Sequence, residues 1–528
     1  MSVRRIMGTE TEYGVQGAPG GNPVQWSFDV VAAASTPATA HIRWDYAPED
    51  PVNDLRGMRL PRANARTDML TDAPQAQVTN VLAPNGGRIY VDHAHPEYSA
   101  PETRDPFDAV AYDSAGDLLM MQAVRGMQEG KDRVRLYRTN VDGKGASWGT
   151  HENYLMDRAV PFDPLSQVLM THFATRQTYA GAGRVGLGER SERPGYQLSQ
   201  RADYFHMKVG LQTTFDRPIV NTRDEPHAPE AYRRLHVIVG DANRMDVPRV
   251  LKLGTTSMVL WLCEHAEQAG MDLGSIVRQV VLDDPVAAMH EVSHDLTLST
   301  SLALADGTAA TAWQLQVRLM SLVHEAAAVI HGTDTRGEPQ WPDRATRSVM
   351  AMWRQALVDV ATIRHTPRDR WHGLANEAGR VEWLLKWQVL DRLRRRKMAD
   401  KPMEQACADP RMQAVDLAWA DLDPATSLFT RLAARTERTS SEGDVAQASV
   451  DAPVDTRAWL RGQAIGRFAP QVHAVSWTRI TTEPDSRGRR WLLDMDDPLR
   501  WTEPECAEAV AQAADLWHLV RALGGVPR

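Results

Sequence analysis

Alternation dominates the chain up to about Asn243, whereas a helical period of hydrophobic positions dominates from about Asp246 to Thr436. In GTETEYGV, polar Glu10 and Glu12 sit two residues apart, and strand residues at i and i+2 share a face. In NGGRIYVDHAHPEYS, opened by the turn pair Asn85-Gly86, residues Arg88, Tyr90 and Asp92 take one face and Ile89 and Val91 the other. GTHENYLM pairs His151 with Asn153, and YRRLHVIVGDAN pairs Arg234 with His236 before an apolar run. Each segment predicts a strand with one polar face.

In TRSVMAMWRQALVDVATI, residues Val349, Met352, Trp353, Ala356, Leu357 and Val360 recur at helical spacing. VEWLLKWQVLDRLRRRKM places Trp383, Trp387 and Leu390 on a stripe and ends in a basic last turn, Arg394 to Lys397, which suits a helix C-terminus. These aromatic stripes read as core. Residues 436–455, TERTSSEGDVAQASVDAPVD, are small, polar and aperiodic, and read as a linker. Beyond it, residues 456–528 form a small C-terminal domain: a helix at TRAWLRGQAIGRF, a strand at HAVSWTRITT, and a final helix from Pro504 to Leu523 stopped by Gly524-Gly525. Residues 47–84 hold Pro48, Pro51, Gly57 and Pro61 among many charges, and so long an irregular stretch inside a domain predicts a functional loop.

Composition narrows the class. At 528 residues, 43% hydrophobic and 24% charged, the chain supports two or three domains and excludes collagen, disulfide scaffolds and full disorder. Its net charge of -8 argues against nucleic acid as a whole-chain partner. Three scattered cysteines form no CxxC pair, no apolar run is long enough to span a bilayer, and the opening MSVRRIMGTETEYGV lacks an apolar leader core, so a cytoplasmic location without membrane attachment is expected.

The four polar pairs supply carboxylates, imidazoles and arginines. Oxygen ligands with two imidazoles suit Mg²⁺ or Mn²⁺, and arginines beside them suit a phosphate group, hence a nucleotide. No GxxxxGK[ST] loop is present. Gly181-Ala-Gly183-Arg-Val-Gly186 matches GxGxxG, but it follows the helix-like SQVLMTHFATRQ and runs into GERSERPG, so it reads as a glycine-rich turn. His93 and His95 invite a zinc reading that the missing HExxH and HxxEH patterns disfavour.

The segments GTETEYG, NGGRIYVDHAHPEYS, GTHENYLM, GAGRVGLG, SQRADYFH, VNTRDEPHA and YRRLHVIVGDAN with KLGTT, in this order up to Thr256, and AVSWTRI beyond, resemble the Dop/PafA family. These are carboxylate-amine ligase relatives of glutamine synthetase that act on the prokaryotic ubiquitin-like protein Pup. The resemblance implies an α+β fold: a glutamine-synthetase-like curved antiparallel sheet backed by helices over residues 1–435, with the small C-terminal domain after the linker. It implies Asp92 as catalytic residue, Glu10, Tyr90, Glu97, His151 and His236 around Mg²⁺, and Ser99, Ala100, Asn153, Arg201, Arg234 and Trp477 at ATP. It favours the depupylase branch, because Glu97 lies five residues after Asp92, one fewer than is typical of the ligases, and because 47–84 looks like that branch's insertion near the active site.

The implied activity is release of Pup from substrate lysines and deamidation of Pup's C-terminal glutamine, with Asp92 either attacking the carbonyl or activating water. A Pup ligase and a non-catalytic Pup-binding protein are the alternatives. Pup, pupylated proteins and the proteasome system are the implied partners. An acidic Pup calls for a positive groove, for which Arg201, Arg223 and Arg234 are candidates; Arg394 to Lys397 read better as a solvated helix end.

Overall fold

A computed structural model describes residues 2–59, 78–127 and 134–528. Its centre is a six-stranded sheet of β1 (Met7–Glu12), β2 (Asn80–Leu82), β3 (Arg88–Asp92), β4 (His95–Ser99), β5 (Thr150–Asp157) and β6 (Tyr232–Val237), in the order β6-β5-β1-β4-β3-β2. All neighbours are antiparallel. The alternation expected from the sequence divides the two faces. On β1, Thr9 and Thr11 turn inward and both donate to Asp113 of the helix Pro106–Met127 (3.3 and 3.1 Å), leaving Glu10 and Glu12 on the other face.

Behind the sheet, Met7, Tyr154, Met156, Leu235 and Val237 join one continuous core with the helices Phe162–Thr175, Asp246–His265, Ala312–His331, Arg344–His365 and Glu382–Lys397. The Arg344–His365 helix starts where the Asp343 side chain accepts from Thr346 N at 2.8 Å. Its stripe buries Val349, Trp353, Ala356, Leu357 and Val360 completely or nearly so. Removing an indole as enclosed as Trp353 typically costs about 3–5 kcal/mol. In Glu382–Lys397 the last-turn Arg394 and Arg395 bind Asp391 (2.7 and 2.6 Å), so they complete a helix end as expected.

Several boundaries differ from the sequence reading. Residues 442–450 of the expected linker form a helix, Glu442–Val450, started by a capping box in which Ser441 and Asp444 exchange side-chain and backbone bonds. HAVSWTRITT is a hairpin of β7 (Val472–Val475) and β8 (Arg479–Thr482), with Trp477 in the turn. The final helix is two, Glu503–Gln512 and Leu516–Ala522, because the Asp515 side chain accepts from His518 N and starts a new helix. Of the irregular stretch 47–84, residues 80–82 are strand β2, and 60–77 lie outside the described residues.

The C-terminal sheet adds β9 (Trp491–Asp494) and β10 (Val526–Pro527), and its far edge is the N-terminal segment Arg43–Trp44, paired parallel to β7. Ile42, Trp44 and Leu82 accordingly pack in the second core with Trp459, Leu460 and Ile465 of the helix Ala458–Phe468. Glu102, just past β4, binds Arg457 at 2.8 Å and Arg461 from this same helix. Arg461 also reaches the carbonyl of Gly86 (2.8 Å), whose φ of +80° and closeness to Ala458 leave no room for a side chain. Among the described residues no helix is long and apolar enough to cross a membrane.

Burial raises the Glu102 pKa, but the charges and hydrogen bonds of Arg461 and Arg457 outweigh it and hold the carboxyl at about 2. Its stabilising contribution is therefore complete above the unfolded value of 4.5 and is lost as pH falls towards 2. Glu102→Gln is expected to cost about 3–5 kcal/mol at neutral pH. In thermal unfolding, the midpoint gap between variant and parent should be widest above pH 5 and close as pH approaches 2. A gap that does not depend on pH would rule out the ion pair as its source.

Candidate active site

The polar face of the sheet floors an open cavity with about 1340 Å³ of empty space. Register explains which residues meet. Glu10 lies opposite Ser99 on one side and His151 on the other, Tyr90 lies opposite Glu97, and His236 lies opposite Asn153. Glu10, Tyr90, Asp92, Glu97, Ser99, His151, Arg234, His236 and Trp477 all line this cavity, together with Arg88, Arg223 and Glu225. Gly149 sits close beside His151: a Cβ there would fall 2.0 Å from the imidazole Nε2, so a larger residue would make the ring shift.

Among the described residues, two groups of side chains bring ligand atoms within 4.8 Å of one another: Glu10, His151 and His236, and Glu12, Asp92 and Glu97. Burial raises the Glu10 pKa, yet the hydrogen bond from His151 (Nδ1 to Oε2, 3.2 Å) and the charges of His236, His151 and Arg234 hold it well below the carboxylate range. The Asp92 carboxyl is likewise held down against its burial, by the bond from His93 Nδ1 (2.9 Å) and the charges of His93, His151 and Arg223. Glu97 goes the other way: burial and the charges of Asp92, Glu12 and Glu10 push it well up. Burial, with the charges of Glu97 and Glu10, also pushes up the Tyr90 phenol, which accepts from Ser99 Oγ at 3.3 Å. Carboxylate-rich groups with two imidazoles are the donor set of Mg²⁺ or Mn²⁺, and such a cation would offset the repulsion carried by Glu97.

A narrower, mostly apolar cavity adjoins the first and is shared with it through Glu10, Ser99, His227, Arg234 and Trp477. Ile6, Met7, Leu155, Pro226 and Ala100 are the apolar residues along it. The Ala100 amide donates to Thr9 O at 2.9 Å, so its N–H is already satisfied. Trp477 meets Trp44 edge to face at 5.2 Å, and the Arg88 guanidinium lies between Trp44 (3.9 Å) and Tyr90 (4.0 Å).

Arg201 is not brought here. It is buried, donates to Ile238 O at 2.6 Å and lines neither cavity; burial and the nearby Arg217 lower its pKa to about 9. His93 and His95 do not converge on a metal: His93 sits in the β3–β4 turn at φ +52°, and His95 stacks on Trp148 at 4.7 Å. The GxGxxG stretch crosses from a helix into the strand Arg184–Leu187, as a turn and not a dinucleotide loop. Sequence reasoning missed Glu225, His227 and Arg457. Glu225 and His227 lie in an aperiodic segment, and Arg457 precedes a helix whose pattern speaks only of core. The DEPHA stretch was the one available signal for the first two.

The family described as Pup-ligase protein matches residues 5–481. A protein named Depupylase from Acidothermus cellulolyticus is 38% identical, over 99% of this chain and 100% of its own length. A Pup deamidase/depupylase from Mycobacterium tuberculosis is 38% identical over 100% of both chains. Among solved structures, the complex of Pup with its ligase PafA is 27% identical, with a TM-score of 0.74 over 99% of this chain and 95% of that one. The Pup ligase PafA in complex with ADP is 28% identical, with a TM-score of 0.68 over 86% and 96%.

Saturating Mn²⁺ or Mg²⁺, at about 100 times its Kd, should stabilise the folded chain by about 2.7 kcal/mol, read as a rise in thermal midpoint. Glu97→Gln should shrink that rise at the same cation concentration. An equal rise in both proteins would place the cation elsewhere.

Proposed function

This chain belongs to the Pup-ligase protein family, and on that footing we propose that it is an ATP- and Mg²⁺-dependent amidohydrolase acting on Pup. It cleaves the isopeptide bond between Pup and substrate lysines and deamidates Pup's C-terminal glutamine. Relatives named depupylase or Pup deamidase/depupylase are 38–40% identical over 90–100% of this chain, whereas those named Pup--protein ligase are 34–37% identical over 73–90% of it, which supports the hydrolytic branch. The single observation that carries the chemistry is Asp92, kept ionised among carboxylates and imidazoles on the floor of an open cavity.

Breaking an amide requires a nucleophile at the carbonyl carbon and charge stabilisation of the oxygen. Asp92 serves as that nucleophile or as the base that takes a proton from water; its Oδ2 is oriented by His93. Arg88, Arg223 and Arg234 are forks suited to phosphate oxygens, and the apolar cavity beside Ala100 and Trp477 suits a planar base. Glu10, Glu97, His151 and His236, with Tyr90 beside them, would hold Mg²⁺, which supplies positive charge for phosphate and oxyanion when bound. Residues 1–435 form the catalytic unit, 436–455 a connector with a helix of its own, and 456–528 the accessory unit that supplies Trp477. Pup and pupylated proteins are the partners, the proteasome system is a further one, and the location is cytoplasmic.

One assay tests the reading: incubation with a Pup-conjugated protein, Mg²⁺ and ATP or a non-hydrolysable analogue. Free substrate should be released, and Asp92→Asn should slow release at least about 100-fold while the fold is kept. New conjugate formed in step with ADP would make the chain a ligase instead. No turnover of either kind would make it a Pup-binding protein.

A further inference from the structure

Asn153 stands at the junction of three charged or ligating groups. Its Nδ2 donates to Glu10 Oε1 at 3.0 Å, and its Oδ1 accepts from Arg234 Nη1 at 2.7 Å. The orientation of the amide follows from these neighbours, since an ionised carboxylate only accepts and a guanidinium only donates. The same Oδ1 lies 3.0 Å from His236 Nδ1. Arg234 Nη1 also lies 3.5 Å from this Nδ1, but the Asn153 oxygen is nearer, and as the closer acceptor it puts the proton on Nδ1 and leaves the Nε2 lone pair as the ligating atom. His236 and His151 meet edge to face at 4.8 Å, and His151 Nδ1 is turned to Glu10 Oε2.

We propose that Asn153 is a positioning residue for the cation centre: through one side-chain oxygen it fixes the tautomer and ring orientation of His236, and through its nitrogen it holds Glu10 for the same ion. This rests on the cation-binding part of the proposed function and not on Pup as substrate. It assigns to Asn153 a task apart from touching a nucleotide. Adjacent positions make the device compact, because Asn153 lies opposite Gly8 of β1 on one side and His236 of β6 on the other.

The test uses full-length protein without nucleotide at pH 8, where an ordinary imidazole is neutral. In long-range proton–nitrogen spectra of protein carrying ¹⁵N-labelled histidine, the His236 signal, identified by its loss in His236→Gln, should show a protonated Nδ1 and a bare Nε2. Asn153→Ala should lose this single tautomer and weaken binding of Mn²⁺ alone by about 10–100-fold. Asn153→Asp keeps an oxygen towards His236 and should restore the tautomer. A wild-type His236 protonated on Nε2 overturns the proposal without recourse to any variant. So does an Asn153→Ala protein that keeps its tautomer and Mn²⁺ affinity while losing only ATP. Neither readout contains Pup, so a failure to process Pup would remove the functional reading and leave this one standing.

Discussion

Four carboxylates, Glu10, Glu12, Asp92 and Glu97, are crowded onto one face of three adjacent strands, and the rest of the molecule is arranged around that repulsion. Taken from water together, they cannot all ionise freely. Glu10 and Asp92 keep their charge because imidazoles and Arg234 or Arg223 stand beside them, while Glu97 absorbs the repulsion as a raised affinity for protons. A cation held by these residues would supply positive charge that offsets the same repulsion. The opposite face of β1 shows the same logic resolved within the protein: Asp113, against its burial, is held ionised by the charges of Arg138 and Arg249.

Much of this was legible in the sequence because a strand of period two cannot hide its faces. Glu10, Tyr90, Asp92, His151, Asn153, Arg234 and His236 were read as same-face pairs; pairing of the strands brings all but Asn153 to the carboxylate cavity and Asn153 to the apolar cavity that adjoins it. What local pattern could not convey was long-range approach. Arg457 reaches the apolar cavity from a helix more than three hundred residues after Glu102. Arg201 is a polar residue in a recognisable motif, but it lines neither cavity and its Nη1 donates to the Ile238 carbonyl. The helix at 442–450 escaped notice because small polar residues resemble a linker until Ser441 and Asp444 are read as a cap.

The net charge of -8 conceals an uneven placement. Arg88, Arg223 and Arg234 line the carboxylate cavity beside Glu10, Glu49, Asp92, Glu97 and Glu225, so they offset local negative charge and do not make it the positive groove expected from the sequence. The basic run at Arg394 and Arg395 is spent on Asp391. Overall charge thus predicts little about the site, whose potential is set within a few ångströms by paired groups.

The edge strand Arg43–Trp44 has a consequence for how the chain is made. It pairs with β7, which emerges from the ribosome more than four hundred residues later. At about 5–20 residues per second, the N-terminal segment waits roughly 20–90 s for its partner, with Trp44 and Ile42 lacking the core they finally enter. The C-terminal sheet therefore closes last, by a contact of very high sequence separation, and with only two residues the waiting edge offers little for another chain to pair with in the interval.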